Sequence, residues 1–343
     1  MFTSTLVRCA AGVLAVFALF ELGLGPFVAG WNQPEGQVRT IRSYEEGFSV
    51  AHFEPDGLGT YGNRLTGNPP LPGAPEGLIV GDSHVIAQAV RDQETMGAVI
   101  ERLSRAAGRP LNVRQYGWSS AKAPTFLGSA ELLLQARNPT WVAVVINSFF
   151  SVHALSVSRN WRMELGPGDS YRLIDLRPSP TISRFQRMRQ QIGRSALALA
   201  IWRRIGMLWN VAASEDSLAE GAQLEERDSH LAEATARVPR VTILGLKKAY
   251  GSRLIIVYTP SFFGADYETA EPVEQEVLSL CAEFGVACIS TREAMQRERY
   301  DHLLLSRGFH NTAPGAGHFN ATGHRIIGEE IWRYLAAKFP SPP

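Results

Sequence analysis

The chain has 343 residues, enough for one full core with a large insertion or for two small domains. Hydrophobic residues make up 45% and charged residues 20%, a globular balance that excludes a disordered or fibrous chain. A net charge of +1 gives no electrostatic footprint for nucleic acid or an anionic partner.

From Leu6 to Ala29 the chain is almost wholly apolar, broken by Arg8 and Glu21. The uninterrupted run Ala10 to Phe20 has the character of a signal-peptide core. Joined to Leu22–Ala29, it approaches the length of one membrane span. Residues 1–30 therefore read as an uncleaved N-terminal membrane anchor. A cleaved signal peptide and a buried N-terminal helix are the alternatives. Arg8 on the N-terminal side keeps that end inside and predicts that the rest of the chain is exported, on the periplasmic or extracellular side. Residues 31–76, rich in Gly, Pro and Asn, read as an irregular lead-in.

A strand-then-helix rhythm follows over residues 77–340. The apolar runs Leu78–Val80, Leu111–Arg114, Val142–Ile146, Leu254–Tyr258 and Val286–Ile289 predict strands. Helices are predicted over Val85–Ala107, Phe126–Ala136, Val273–Phe284 and Ala321–Lys338. Short apolar strands alternating with helices predict an α/β fold with a central parallel sheet of about five strands, covered on both faces.

The rhythm lapses over an insertion at about residues 152–250. It holds Leu165-Gly166-Pro167-Gly168 and Arg177-Pro178-Ser179-Pro180, then a basic stretch from Arg184 to Arg204 and an acidic one from Glu215 to Asp228. This predicts two solvated helices of opposite charge, with a lid or a membrane-resting helix as the functional alternative. Cys281 and Cys288, seven residues apart, read as core thiols rather than as a disulfide or a metal pair. Cys9 lies in the N-terminal apolar segment.

Two segments carry chemistry. Gly81-Asp82-Ser83-His84 directly follows the first apolar strand, which places the Ser83 hydroxyl at the carboxyl edge of the sheet, where open α/β sheets build their sites. Ser83 is a nucleophile if a base reaches it, and its turn would present backbone N–H groups to a developing oxyanion. Near the C-terminus, Gly315-Ala316-Gly317-His318-Phe319-Asn320-Ala321-Thr322-Gly323-His324 puts His318 in a Gly-rich loop before the last helix, free to face that edge. His318 is the candidate general base.

Gly81-Asp82-Ser83 with His318-x-Asn320-x-x-Gly323-His324 resembles the SGNH/GDSL hydrolase family over roughly residues 50–338. The resemblance implies a three-layer α/β/α flavodoxin-like sandwich and an esterase that cleaves an ester, an O-acyl or O-acetyl group on a carbohydrate, through a Ser83 acyl-enzyme. It also implies an oxyanion hole from the Ser83 and Gly117 N–H groups, the latter in Tyr116-Gly117-Trp118. For the asparagine that completes the hole, Asn147 has the right chemistry and Ser151 the better spacing; we take Asn147. The family's Asp three residues before the histidine is replaced by Gly315. A Ser–His dyad oriented by a backbone carbonyl, an acid such as Asp301, or an impaired site are the three outcomes.

An O-acyltransferase acting on an envelope glycan, or a non-catalytic envelope binding protein, remains open beside the hydrolase. His324 reads as a packing or capping residue, His84 as a possible pocket wall, and His302 and His310 as loop residues. No metal-ligand spacing and no phosphate loop occurs, so no cofactor is expected. The expected partners are a small-molecule or glycan ester and, through the N-terminus, a membrane.

Overall fold

The computed structural model describes residues 39–43, 49–119, 121–147, 160–176, 229–260, 270–309, 315 and 317–339. The strands β1 (Arg39–Ser43), β2 (Ser49–Glu54) and β3 (Asn63–Arg64) form a small antiparallel sheet, order β1-β2-β3. The lead-in is thus not irregular throughout. Ala51 and Phe53 are buried while Val50 is exposed, an alternation too short to stand out among glycines and prolines. Buried Arg64 anchors this sheet, donating to Val90 O and Leu65 O (both 2.9 Å) and pairing with Asp92, which also takes His52 Nδ1 at 2.6 Å.

The central sheet is built from β4 (Glu76–Gly81), β5 (Asn112–Gly117), β6 (Trp141–Asn147), β9 (Leu254–Thr259) and β10 (Ala287–Ser290). Its order is β10-β9-β6-β4-β5 and every pair is parallel. Numbered within the sheet this is 2-1-3-4-5, the flavodoxin-like order, whose switch point lies between β4 and β6.

The strands are apolar on both faces because both are covered. Leu78, Val80, Val142, Val144, Ile256 and Tyr258 enter one core, with α3 (Ala123–Ala136), α4 (Ser229–Tyr250) and α5 (Pro272–Phe284). Ile79, Ala143, Val145, Ile255 and Val257 enter the other, with α2 (Met96–Ala106), α6 (Arg292–Tyr300) and α7 (Ala321–Lys338). All five predicted strands are present, and the last helix has its predicted bounds.

Three further expectations need correction. The helix predicted over Val85–Ala107 is broken into α1 (Ser83–Ile86), a 3₁₀ turn Asp92–Glu94 and α2. Ala87 stops α1 with φ 54°, and Thr95 caps α2 by accepting from Ala98 N at 3.3 Å. The insertion holds a hairpin, β7 (Trp161–Leu165) and β8 (Tyr171–Asp175), turned by the Gly-Pro-Gly run with Gly168 at φ 59°. Cys281 in α5 and Cys288 in β10 are joined in a disulfide with Cα atoms 6.0 Å apart. The turn at Gly285 folds the strand back beside its own helix, a proximity that seven-residue spacing does not reveal. Among the described residues no helix is long and apolar enough to cross a membrane. The predicted anchor, Ser151, His310 and the charged stretches from Arg184 to Asp228 lie outside the described residues.

Candidate active site

β4 delivers Ser83 to the carboxyl edge of the sheet beside the switch point. The turn is tight: a Cβ on Gly81 would stand 2.3 Å from Val85 Cγ2. Asp82 caps α1, its Oδ1 accepting from His84 N–H at 2.9 Å. Ser83 is the first residue of that helix, so its N–H has no intrahelical acceptor.

The loop before α7 delivers His318. Asn320 caps α7 by accepting from Gly323 N–H (3.1 Å), and its Nδ2 donates to Leu305 O (2.8 Å) and Gly308 O (3.2 Å). Gly323 is required because a Cβ there would meet Ser306 O at 2.2 Å. The His-x-Asn-x-x-Gly pattern is therefore a cap plus a close backbone approach. With the loop so fixed, His318 Nε2 lies 2.8 Å from Ser83 Oγ, within the reach of a base and its nucleophile. Two segments 235 residues apart meet, as the sequence predicts.

The other predicted residues fall less simply. Asn147 ends β6 at the switch point, and its Nδ2 donates to Asp82 Oδ2 at 2.9 Å. The amide thus holds the half-buried carboxylate of the nucleophile turn. Gly117, at the end of β5, packs against α1: an added Cβ would stand 2.5 Å from Ile86 N and 2.7 Å from Asp82 O. Gly117 is absent from the lining of the Ser83 cavity, where Ser119 takes its place. Asp301 is exposed at the end of α6, and among the described residues no hydrogen bond links it to His318. Gly315 has φ 83°, the left-handed region that favours glycine, so the residue at the family's acid position serves the turn.

A cavity of about 180 Å³ opens at the pair, lined by Tyr61, Ile86, Gln88, Ser119 and Phe319 among others. His84 and His324 also line it. Burial holds His84 well below the ordinary histidine range, with the Arg307, His318 and His324 charges adding to the effect. Burial, then Arg64 and His318, push His324 down to about 3. Burial raises the Asp82 carboxyl, opposed by the His84 N–H, the Asn147 amide and the His318 and Arg307 charges. Among the described residues no group of three or more His, Cys, Asp or Glu could hold a metal ion.

Sequence reasoning missed two residues of the site. Arg307 stands in Ser306-Arg307-Gly308, which matches no motif, and reaches His84 through its guanidinium. Asp82 stands in the sequence reading only within Gly81-Asp82-Ser83-His84; its roles as cap of α1 and partner of Asn147 are not assigned there.

No protein-family model and no curated protein sequence matches the chain. Among solved structures, a two-domain esterase active on acetylated mannans, co-crystallised with mannopentaose, aligns at 10% identity and a TM-score of 0.41, over 79% of this chain and 51% of its own. This chain thus spans about half of that protein. A lipase/acylhydrolase from Enterococcus faecalis aligns at 14% identity and a TM-score of 0.41, over 78% of this chain and 100% of its own. An acetyl xylan esterase from Geobacillus stearothermophilus aligns at 14% and 0.39, over 78% and 97%.

Proposed function

We propose that the chain is a serine hydrolase of the SGNH/GDSL type that cleaves an ester, an O-acyl or O-acetyl group on a carbohydrate. The observation that carries this reading is the 2.8 Å contact of His318 Nε2 with Ser83 Oγ at the switch point of a parallel sheet. His318 takes the hydroxyl proton as Oγ attacks the ester carbonyl. The negative charge then developing on the carbonyl oxygen meets the Ser83 N–H. Collapse expels the alcohol, which receives the proton from His318 and leaves an acyl-enzyme at Ser83. A water that gives its proton to His318 attacks the acyl carbon, and the acid leaves as Oγ is reprotonated. A cavity of about 180 Å³ suits a short acyl group, since drug-sized ligands occupy about 300–1,000 Å³.

The domain is proposed to be exported behind the apolar N-terminal segment, a reading supported by the Cys281–Cys288 disulfide, since such bonds persist in oxidising compartments. The test is fluorophosphonate labelling of the protein from about residue 31, beside Ser83→Ala and His318→Ala. Labelling of the wild type alone supports a working pair. A folded wild type that does not label sinks the reading and favours a binding role. Loss of the acyl-enzyme that depends on an added glycan hydroxyl would make the protein a transferase.

A further inference from the structure

The Ser83–His318 contact joins segments from opposite ends of the chain, and a buried cation lies between them. Arg307 is 2% exposed. Its Nη2 donates to Pro260 O (2.9 Å), just past the end of β9, and its Nη1 donates to Gly317 O (3.2 Å), in the residue before His318. The same Nη1 stands 3.3 Å from His84 Nε2, in the residue after Ser83. The guanidinium carbon lies 3.9 Å from the ring centroid of Phe319, the residue after His318.

The backbone repeats the arrangement. Arg307 bridges Phe319 in antiparallel fashion, its carbonyl accepts from Gly315 N–H (2.9 Å), and Gly308 N–H donates to His318 O (3.0 Å). A guanidinium has donors only, so it selects the neutral His84 tautomer that presents Nε2 as acceptor. Burial and the guanidinium charge keep that ring neutral.

We infer that Arg307 is the positioning residue of the Ser–His pair: its planar fork ties the Gly317–Phe319 loop to the Ser83 turn through His84 and to the sheet through Pro260. Gly315 offers no side chain for such a task. The fork matters more than the charge. One ammonium cannot reach acceptors spread over three segments and stack on a ring as a guanidinium does. The cation–π contact with Phe319 and the nearby Asp82 carboxylate offset part of the cost of burying the charge. The catalytic meaning of this tie rests on the proposed hydrolase; the tie itself does not.

The test compares wild type with Arg307→Lys, His84→Phe and the double variant, reading the rate of Ser83 phosphonylation and the NMR signal of the His318 ring. Arg307→Lys keeps the charge and loses the fork. Its rate constant is expected to fall about 10- to 100-fold, the cost of a small misplacement of reacting groups. The half-saturating probe concentration stays within about twofold, because binding is untouched. The His318 signal, single in the wild type, broadens or splits. His84→Phe removes the acceptor that links Arg307 to the Ser83 turn while keeping a ring in the cavity wall beside His318 and Phe319, and shows a smaller loss of the same kind. The double variant is no slower than Arg307→Lys, since both changes cut one tie.

A wild-type rate and an unchanged His318 signal in Arg307→Lys would overturn the inference, as would additive losses. Should Arg307→Lys not fold, His84→Phe decides: wild-type rate and signal there overturn it equally. A wild type that fails to label removes the hydrolase reading, while the His318 signal still reports on the tie.

Discussion

His324 shows how burial at a single residue writes itself into the stability of the whole protein. It is 1% exposed in α7, and its Nδ1 has no hydrogen-bond partner among the described residues. Its pKa is pushed down to about 3, below the ordinary 6.5, so the unfolded chain binds its proton more readily. Its contribution is therefore complete above pH 6.5 and is lost as the pH falls toward 3. Between pH 7 and 5 this one ring should cost about 2 kcal/mol. Urea unfolding at the two pH values should show that loss in the wild type, with a smaller loss in His324→Leu; equal losses would count against a buried neutral ring. The histidine's packing role was legible from its place in the first turn of the helix. So was the Ser83–His318 pair, because glycines mark both loops and a capping residue follows in each, Asp82 before α1 and Asn320 before α7. The partner of Asn147 was not, since a long-range bond to Asp82 leaves no trace in spacing.

At the scale of elements, the strands were legible because a sheet covered on both faces demands continuous apolar runs. The break in the first helix was not: Ala87 takes a left-handed conformation without the glycine that would signal it. Gly117 was singled out for its N–H, yet its missing Cβ is what the packing uses. Ile86 and Asp82 press on it from the turn that carries Ser83, so β5 sets the height of the nucleophile above the sheet. Gly77 gives the comparison at the other end of the sheet, where an added Cβ would stand 1.9 Å from the Trp141 ring. Both Gly117→Ala and Gly77→Ala should lose stability by about 1–3 kcal/mol through overpacking. Only Gly117→Ala should also slow phosphonylation of Ser83, by about tenfold or more, because it moves the reacting atoms. Equal labelling rates in the two variants would show that the turn absorbs the methyl without displacing Ser83.

At the scale of the whole molecule, compartment and covalent structure bear on each other. The described residues from Glu35–Arg177 and Glu233–Pro343 belong to one unit with a core on each face of its sheet. A domain with so much buried apolar surface does not need a disulfide to fold. Cys281–Cys288 is therefore informative about surroundings more than about folding. In the chain-entropy view, closing so short a loop contributes about 2–3 kcal/mol. Reductant should lower the unfolding midpoint of the wild type by a matching amount, and Cys288→Ser should start from that lower value and ignore reductant. Mass spectrometry after thiol blocking in intact cells then connects bond to place: Cys281 and Cys288 blocked as free thiols would argue for a reducing compartment and against export. Protection of both until reduction would agree with an apolar N-terminus that carries the domain out, since the bond needs an oxidant that the cytosol withholds.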